Sequence, residues 1–365
     1  MSLNRTMPRE KTKEELMKKQ LISICILAAS IIFLPAVPVC FAENSPVKES
    51  AALSAHETEN ASEPSAVLLK TPEISDYIGT PYKVLDVSTG KILEVSELEY
   101  VIGAVCAEMP ASFETEALKA QAVAAHTYAE RQRLRERSSP TKELKGADFS
   151  NDTSKYQGYF TKEQAKRFFG ENFDENYAKI SAAAAEVLPC IITFEDEPII
   201  SAFHSMSSGR TESAENAWGG VVEYLVPVDS SSDTEAPKYR EEVRYTKEVL
   251  SHKLKTAFPQ AALGDDFTKW LSVGSVSDSG TVLEAEVGGM KVSGNDVRTA
   301  LALRSACFEV KYVGEEIVLT TKGYGHGVGM SQYGANAMAA EGKTWREIIG
   351  HYYKNCDITE LKTAK

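Results

Sequence analysis

The feature of this chain that could do chemistry is a lone carboxylate. Glu108 closes the apolar run Tyr100-Val101-Ile102-Gly103-Ala104-Val105-Cys106-Ala107 and stands two residues before Pro110. The stretch from Val101 to Ala107 carries no charge, which places it in a packed interior. Pro110 disfavours a helical Met109 and turns the chain. Ser112 is the expected cap of a new helix, with Glu114 and Glu116 at its positive end. Glu108 then falls at a junction between two elements, among apolar neighbours. Desolvation there raises a carboxyl pKa and leaves a proton available near neutral pH. The competing reading is a partly exposed turn residue or a salt-bridge partner.

Two histidines and a glycine-rich loop are the other candidates. A strand ending in Phe203 delivers His204 into the small polar loop Ser205-Met206-Ser207-Ser208-Gly209-Arg210, and loops held at strand ends commonly carry binding groups. Further on, Gly323-Tyr324-Gly325-His326-Gly327-Val328-Gly329 leads into Met330-Ser331-Gln332-Tyr333-Gly334-Ala335. Its alternating glycines match neither the dinucleotide fingerprint nor a P-loop, and no GK[ST] follows. They suit an exposed turn that lets a bulky ligand approach the backbone while Tyr324 and His326 stand out, a pairing fit for a sugar. A tight structural turn is the alternative. His204 and His326 could join Glu108 or Glu215 on a metal, but no HExxH or similar close pair is present, and the expectation is no metal. No GxSxG elbow supports a serine nucleophile in the 205–208 loop. Each histidine is equally readable as a hydrogen-bonded structural residue.

What remains is acid–base chemistry by one carboxylate. Ordinary glycosidases need two carboxyl groups flanking the bond. A lytic transglycosylase needs one: it protonates the glycosidic oxygen and then takes the proton of the sugar's own C6 hydroxyl, closing a 1,6-anhydro ring. Glu108 has the setting for that role.

The elements that must position these residues follow from the pattern of the chain. At 365 residues there is material for one large or two ordinary domains. A net charge of -12 argues against a nucleic-acid partner. Residues 1–20 are a basic tail, expected in the cytoplasm. Residues 21–42 are apolar and long enough to span a bilayer. Val39-Cys40-Phe41-Ala42 resembles a signal-peptide cleavage site, the rival reading; an uncleaved anchor is favoured. Residues 43–77, rich in Glu, Ser, Ala and Pro, read as a disordered spacer. Cys106, Cys190, Cys307 and Cys356 lie beyond the anchor with no CxxC pair, so two disulfides or none are open, with free thiols favoured.

The folded region is expected over 78–358, as an α+β, two-lobed mixed α/β domain behind the anchor and spacer. A hairpin of Val84–Val87 and Ile92–Val95 comes first, then a short helix from Ser96. The helix after Pro110 runs from about Phe113 to Arg137, with Leu118, Ala122, Ala125 and Ala129 on one buried face. Lys119, Gln121 and His126 flank that face, and Arg131 to Arg137 reads as a solvated charged end. A polar segment with Tyr156, Gln157 and Tyr159 leads to a helix from about Phe173 to Glu186. Strands Cys190–Phe194 and Pro198–Phe203 follow, joined at Glu195-Asp196-Glu197. Residues of about 229–308 read as a smaller inserted lobe. Thr344 with Glu347 forms a capping box for a last helix.

Several blocks, in order, resemble the stage II sporulation protein D family, which includes amidase enhancers. They are Ala107-Glu108-Met109-Pro110, the run Glu116 to Ala125 with Tyr128-Ala129, His204-Ser205 with Ser208-Gly209-Arg210-Thr211-Glu212, Trp218-Gly219, Ser293-Gly294 with Arg298, and Gly325 to Ala335. The resemblance implies a membrane-anchored lytic transglycosylase with no cofactor, acting on peptide-stripped peptidoglycan glycan strands in engulfment during endospore formation. It puts the family's catalytic glutamate on Glu108. It implies a membrane complex with a cell-wall amidase and a multipass membrane protein, in the engulfing membrane on the mother-cell side, with the C-terminal domain outside the cytoplasm. The glycan is expected in a cleft, with Lys119, Gln121, His204, Ser205, Ser208, Tyr324, His326, Gln332 and Tyr333 as candidate contacts. Two departures stand out. His126 occupies a position where the family usually has arginine, and residues 127–189 lack the His and Cys of the zinc site some relatives carry. A non-catalytic glycan-binding module that stimulates an amidase is the second hypothesis, and a metal-dependent amidase or peptidase using His204 and His326 the third.

Overall fold

The computed structural model describes residues 79–361. The basic tail, the anchor and the spacer lie outside the described residues. Among those described, no helix is long and apolar enough to cross a membrane.

The architecture is α+β, with helices and small sheets wrapped around two large apolar cores, beside a small cluster of Leu85, Leu144 and Ala147. The chain enters through the hairpin β1 (Tyr82–Asp86) and β2 (Lys91–Val95), antiparallel with Tyr82 opposite Val95. Ser96 caps α1 (Glu97–Glu108) in a complete capping box with Glu99, so one helix runs from the cap through the whole apolar stretch. Met109 turns extended before Pro110, as the proline dictates. The next helix, α2 (Thr115–Ser138), starts later than expected. Ser112 is exposed and does not cap it. Glu114 is the cap residue, and its own N–H is taken by the Asn336 side chain at 2.7 Å, so a tertiary contact sets the start.

Helix α2 is the axis of the larger core. Its alanine face is fully buried, as the spacing predicts, but its flanks are buried too: Gln121, His126 and Thr127 are at most 1% exposed. The chain returns through β3 (Phe149–Ser150), parallel to β1, and through α3 (Lys162–Phe169) and α4 (Phe173–Val187). It continues into β4 (Cys190–Phe194), which pairs with the short β5 (Glu197–Pro198) across a turn where Glu195 and Asp196 take positive φ. The expected single strand from Pro198 to Phe203 is broken: β6 is only Phe203–His204. The expected solvated end of α2 is also corrected. Arg133 is fully buried, pairs with Glu130 at 3.1 Å and Glu97 at 3.2 Å, and lies over the Tyr82 ring at 3.9 Å. A buried charge is tolerated only with such partners.

After α5 (Ala214–Trp218) the chain builds the second core. Strand β7 (Arg240–Thr246), helix α6 (Lys247–Ala257), the meander β8 (Leu271–Val276), β9 (Val282–Val287) and β10 (Met290–Val292), and helix α7 (Gly294–Leu301) enclose it. Strands β11 (Phe308–Val313) and β12 (Glu316–Lys322) complete the sheet β11-β12-β7. The buried residues of this core run from Leu250 to Leu319. The chain then returns to the first core through β13 (Met330–Ser331), parallel to β6, then α8 (Gln332–Ala340), α9 (Trp345–Tyr352) and β14 (Asp357–Glu360), which lies against β4. All four cysteines in this region are unbridged.

Candidate active site

Glu108 is the last residue of α1 and is 1% exposed. One hydrogen bond to its carboxyl reaches across 50 residues: the Gly158 N–H donates to Oε1 at 2.6 Å. Burial pushes its pKa up to about 7, and the Gly158 bond opposes that rise. At 1% exposed, Glu108 is not the partly exposed turn residue of the competing reading. It is an acid that exchanges its proton near neutral pH.

The backbone of Glu108 is held from the far end of the sequence. Gln332 Nε2 donates to the Glu108 carbonyl at 2.9 Å and to Gln121 Oε1 at 3.4 Å. Tyr333 packs edge-on against Phe113, and its N–H donates to the Ser205 carbonyl at 3.0 Å. Glu108, Gln121, Gln332 and Tyr333 therefore share one neighbourhood. Ser205 joins it through its backbone.

His204 sits one strand over, opposite Ser331 in the β6–β13 pair. Val328 fixes both histidines. Its carbonyl lies 3.1 Å from His204 Nδ1, and its N–H donates to His326 Nδ1 at 3.0 Å. The proton is thus assigned to Nδ1 of His204 and to Nε2 of His326. The two rings are 5.7 Å apart, and Trp218 lies 5.3 Å from His326. Burial pushes the His204 pKa down to about 4, with Arg298 adding to the effect, so this imidazole is neutral at neutral pH. Among the described residues no group of three or more His, Cys, Asp or Glu is placed to hold a metal ion.

Three candidates take other positions. Lys119 bridges Glu116 at 2.8 Å and Glu186 at 2.6 Å, and Glu116 also accepts the Trp345 N–H, so this ammonium ties α2 to α4 and α9. Ser208 donates its hydroxyl to the Ser279 carbonyl, in the turn between β8 and β9. The Tyr324 ring stacks against the Arg304 guanidinium at 4.4 Å. Ser208 and His326 line a small recess of about 20 Å³ with Glu212, Cys307 and Lys322.

The glycine-rich loop corrects an expectation. The bulk that its glycines admit is the chain's own backbone. A Cβ at Gly329 would fall 2.0 Å from the Ala202 carbonyl oxygen, and one at Gly325 would fall 2.8 Å from His204 Cβ. Both residues have positive φ, 72° and 111°. The serine loop and the glycine loop are then locked together by Asp233, a residue the sequence pattern did not single out. It accepts from Ser207 N at 2.7 Å, Ser207 Oγ at 2.6 Å, Ser230 Oγ at 2.9 Å and Ser331 Oγ at 2.7 Å.

Comparison with known proteins fits this geometry. A family profile described as "Stage II sporulation protein" matches residues 86–194, the segment that contains Glu108 and Gly158. Stage II sporulation protein D of Bacillus subtilis (strain 168) is 36% identical over 346 residues, 94% of this chain and 96% of the relative. That of Bacillus amyloliquefaciens is 41% identical over 262 residues, 72% of this chain and 74% of the relative. The chain belongs to the stage II sporulation protein D family. A protein named "Amidase enhancer" from Bacillus subtilis (strain 168) is 27% identical over 308 residues, 70% of this chain and 40% of that protein.

Membership in this sporulation family makes sense of blocks that residue chemistry alone did not rank. Trp218 and Arg298 were visible only as members of the resembling blocks, yet they surround the histidine pair. Gly158 carried no signal at all, because a backbone N–H is common to every residue but proline.

Proposed function

We propose that this chain is a membrane-anchored lytic transglycosylase that cleaves peptide-stripped glycan strands of peptidoglycan during engulfment in endospore formation. The observation that carries the reading is the Glu108 carboxyl, buried, with its pKa pushed up to about 7 and the Gly158 N–H donating to Oε1. In the first step Glu108 gives its proton to the glycosidic oxygen as the C1–O bond breaks, and the leaving sugar departs as an alcohol. In the second, the Glu108 carboxylate takes the proton of the C6 hydroxyl while O6 bonds to C1. The 1,6-anhydro ring closes, no water is consumed, and the acid is regenerated. The Gly158 N–H strengthens as a donor when the carboxyl becomes charged, which stabilises the middle state.

Gln121, Gln332 and Tyr333 would bind sugar nearest the acid, and His204, His326 and Trp218 further along. The basic tail and apolar segment of residues 1–42 would hold the domain outside the cytoplasm, in the engulfing membrane, beside a cell-wall amidase and a multipass membrane partner.

A second reading is a glycan-binding module that stimulates an amidase. The similarity to the protein named "Amidase enhancer" favours it. One digest separates the two. Peptide-free glycan strands are incubated with the purified protein and with Glu108→Gln, and the products are read by mass spectrometry. The proposal expects 1,6-anhydro ends, one water lighter than hydrolysed ends, from the wild type only. Intact strands with binding retained in both proteins would overturn it in favour of the module, and ordinary reducing ends would mean a hydrolase.

A further inference from the structure

An acid must touch its substrate, yet Glu108 is 1% exposed. The segment of residues 156–160, between β3 and α3, lies directly against its carboxyl. Gly158 sits so close that a Cβ there would fall 2.6 Å from Glu108 Oε1 and 3.3 Å from Ala107 Cβ. Two residues on, Phe160 N–H donates to the Gly103 carbonyl at 3.0 Å, and a Cβ at Gly103 would strike Phe160 O at 2.3 Å. The segment therefore runs along α1 on two glycine contacts, one from each side.

Both rings and hydrogen bonds attach it: Tyr159 stacks on Tyr100 at 5.3 Å and Phe160 lies 5.3 Å from Phe168. Tyr128 OH accepts the Gln157 N–H at 3.2 Å, and Gln157 Nε2 reaches Tyr100 OH at 3.4 Å. The Gln157 side chain is buried, but its Oε1 has no hydrogen-bond partner. A buried acceptor left unsatisfied costs free energy, so the closed arrangement is held below its full potential strength. Just upstream, residues 153–155 are exposed, in a turn whose Ser154 and Lys155 N–H groups bond back to Asp152.

We infer that residues 156–160 are a displaceable strap, that Gly158 is a positioning residue for Glu108, and that a glycan strand reaches the acid by taking the strap's place. The inference rests on Glu108 being the acid of the proposed reaction. Closed, the strap keeps the carboxyl dry and oriented through the Gly158 N–H. Lifted, it opens the end of α1 and frees the Gln157 carboxamide to change partners. The titratable neighbours are phenols: Tyr100 on α1, whose phenol senses Glu108, with Tyr128 on α2 and Tyr159 on the strap around it. Burial holds the Tyr100 phenol well above its ordinary range and pushes Tyr159 up to about 12, so both stay neutral at working pH.

The test is carbodiimide labelling of Glu108 with an amine nucleophile, followed by peptide mass spectrometry over a range of pH, on wild type, Gly158→Ala and Tyr128→Phe. Folding of each is checked by circular dichroism, and amide exchange in α2 supplies the rate of global opening. The strap predicts that wild-type Glu108 labels well ahead of that global rate. Tyr128→Phe, which removes the acceptor of the Gln157 N–H, labels about fivefold faster. Gly158→Ala labels faster still, and its labelling midpoint moves down from about 7 towards the ordinary carboxylate range. Labelling that merely tracks α2 exchange in the wild type, unchanged in rate and midpoint in the folded variants, overturns the strap. The readout needs no turnover. A strap that opens in a protein that makes no anhydro ends would leave residues 156–160 as a movable cover on Glu108 and sink the lytic reading, with the glycan's part in lifting it.

Discussion

Replacing Glu108 by Gln should make the protein more stable, and only above about pH 5. The carboxyl ionises at about 7 in the fold against an ordinary 4.5. The folded protein thus holds this proton more tightly than the unfolded chain does. The stability it contributes is full below about pH 4.5, is lost as pH rises towards 7, and is level beyond that. At 1.36 kcal/mol per pH unit the loss is about 3 kcal/mol. A neutral amide does not titrate, and its oxygen can keep the Gly158 N–H. In a domain of this size, about 2 °C of melting temperature accompanies each kcal/mol. Glu108→Gln should therefore melt about 6 °C further above wild type at pH 8 than it does at pH 4.5. Differential scanning calorimetry at half-unit steps of pH reads this directly, because the other carboxylates titrate equally in both proteins. Two melting curves that stay parallel from pH 4.5 to pH 8 would show that Glu108 does not titrate in this window, and the case for it as a neutral-pH acid would fall.

Asp233 and Lys119 give two further predictions. Asp233→Asn turns one of the four accepting contacts from Ser207, Ser230 and Ser331 into a clash of donors, so stability should fall by about 2 kcal/mol. Hydrogen exchange should rise together in residues 204–210 and 329–334, and a rise in only one loop would mean that Asp233 does not join them. Lys119→Met breaks two ion pairs, with Glu116 and Glu186, whose side chains are 30% and 62% exposed, so the cost should be about 1 kcal/mol. Glycan cleavage should be unchanged if these ion pairs are its whole role, whereas a tenfold loss would place Lys119 on the sugar.

The sequence was most legible where one residue type dictates one environment. A charge-free run ending in glutamate before proline has to be buried up to its last residue, and α1 is. The hairpin, the alanine face of α2 and the Thr344–Glu347 capping box were readable for the same reason. Errors arose where a pattern had two physical causes. Lys119, Gln121 and His126 were expected at the flanks of a helix with one wet side. Helix α2 has none there, because α1, α4, α8, α9 and β4 all pack on it. Arg133 looked solvated because charge runs commonly are, and only the fold supplies Glu97 and Tyr82 to receive it. Alternating glycines announce that something comes close, but not whether it is a ligand or the carbonyl of Ala202. Ser112 has the right chemistry for a cap, and Asn336, more than two hundred residues away, decides otherwise.

The strap and the acid depend on each other. An ordinary carboxyl at pH 7 is protonated in only about 0.3% of molecules, whereas one that ionises near 7 is protonated in about half. The difference comes from burial, and the strap supplies part of that burial. Lifting it into bulk water would therefore remove the acid at the moment of exposing it. The cover has to be exchanged for something equally dry. A pyranose face laid against the end of α1 meets that requirement, since it excludes water over the carboxyl and brings the glycosidic oxygen to it. On this view the enclosure of Glu108 is a requirement of one-carboxylate chemistry. With no second acid or base to share the work, a single group must start protonated at neutral pH, and only a site that stays closed until the glycan closes it can keep it so.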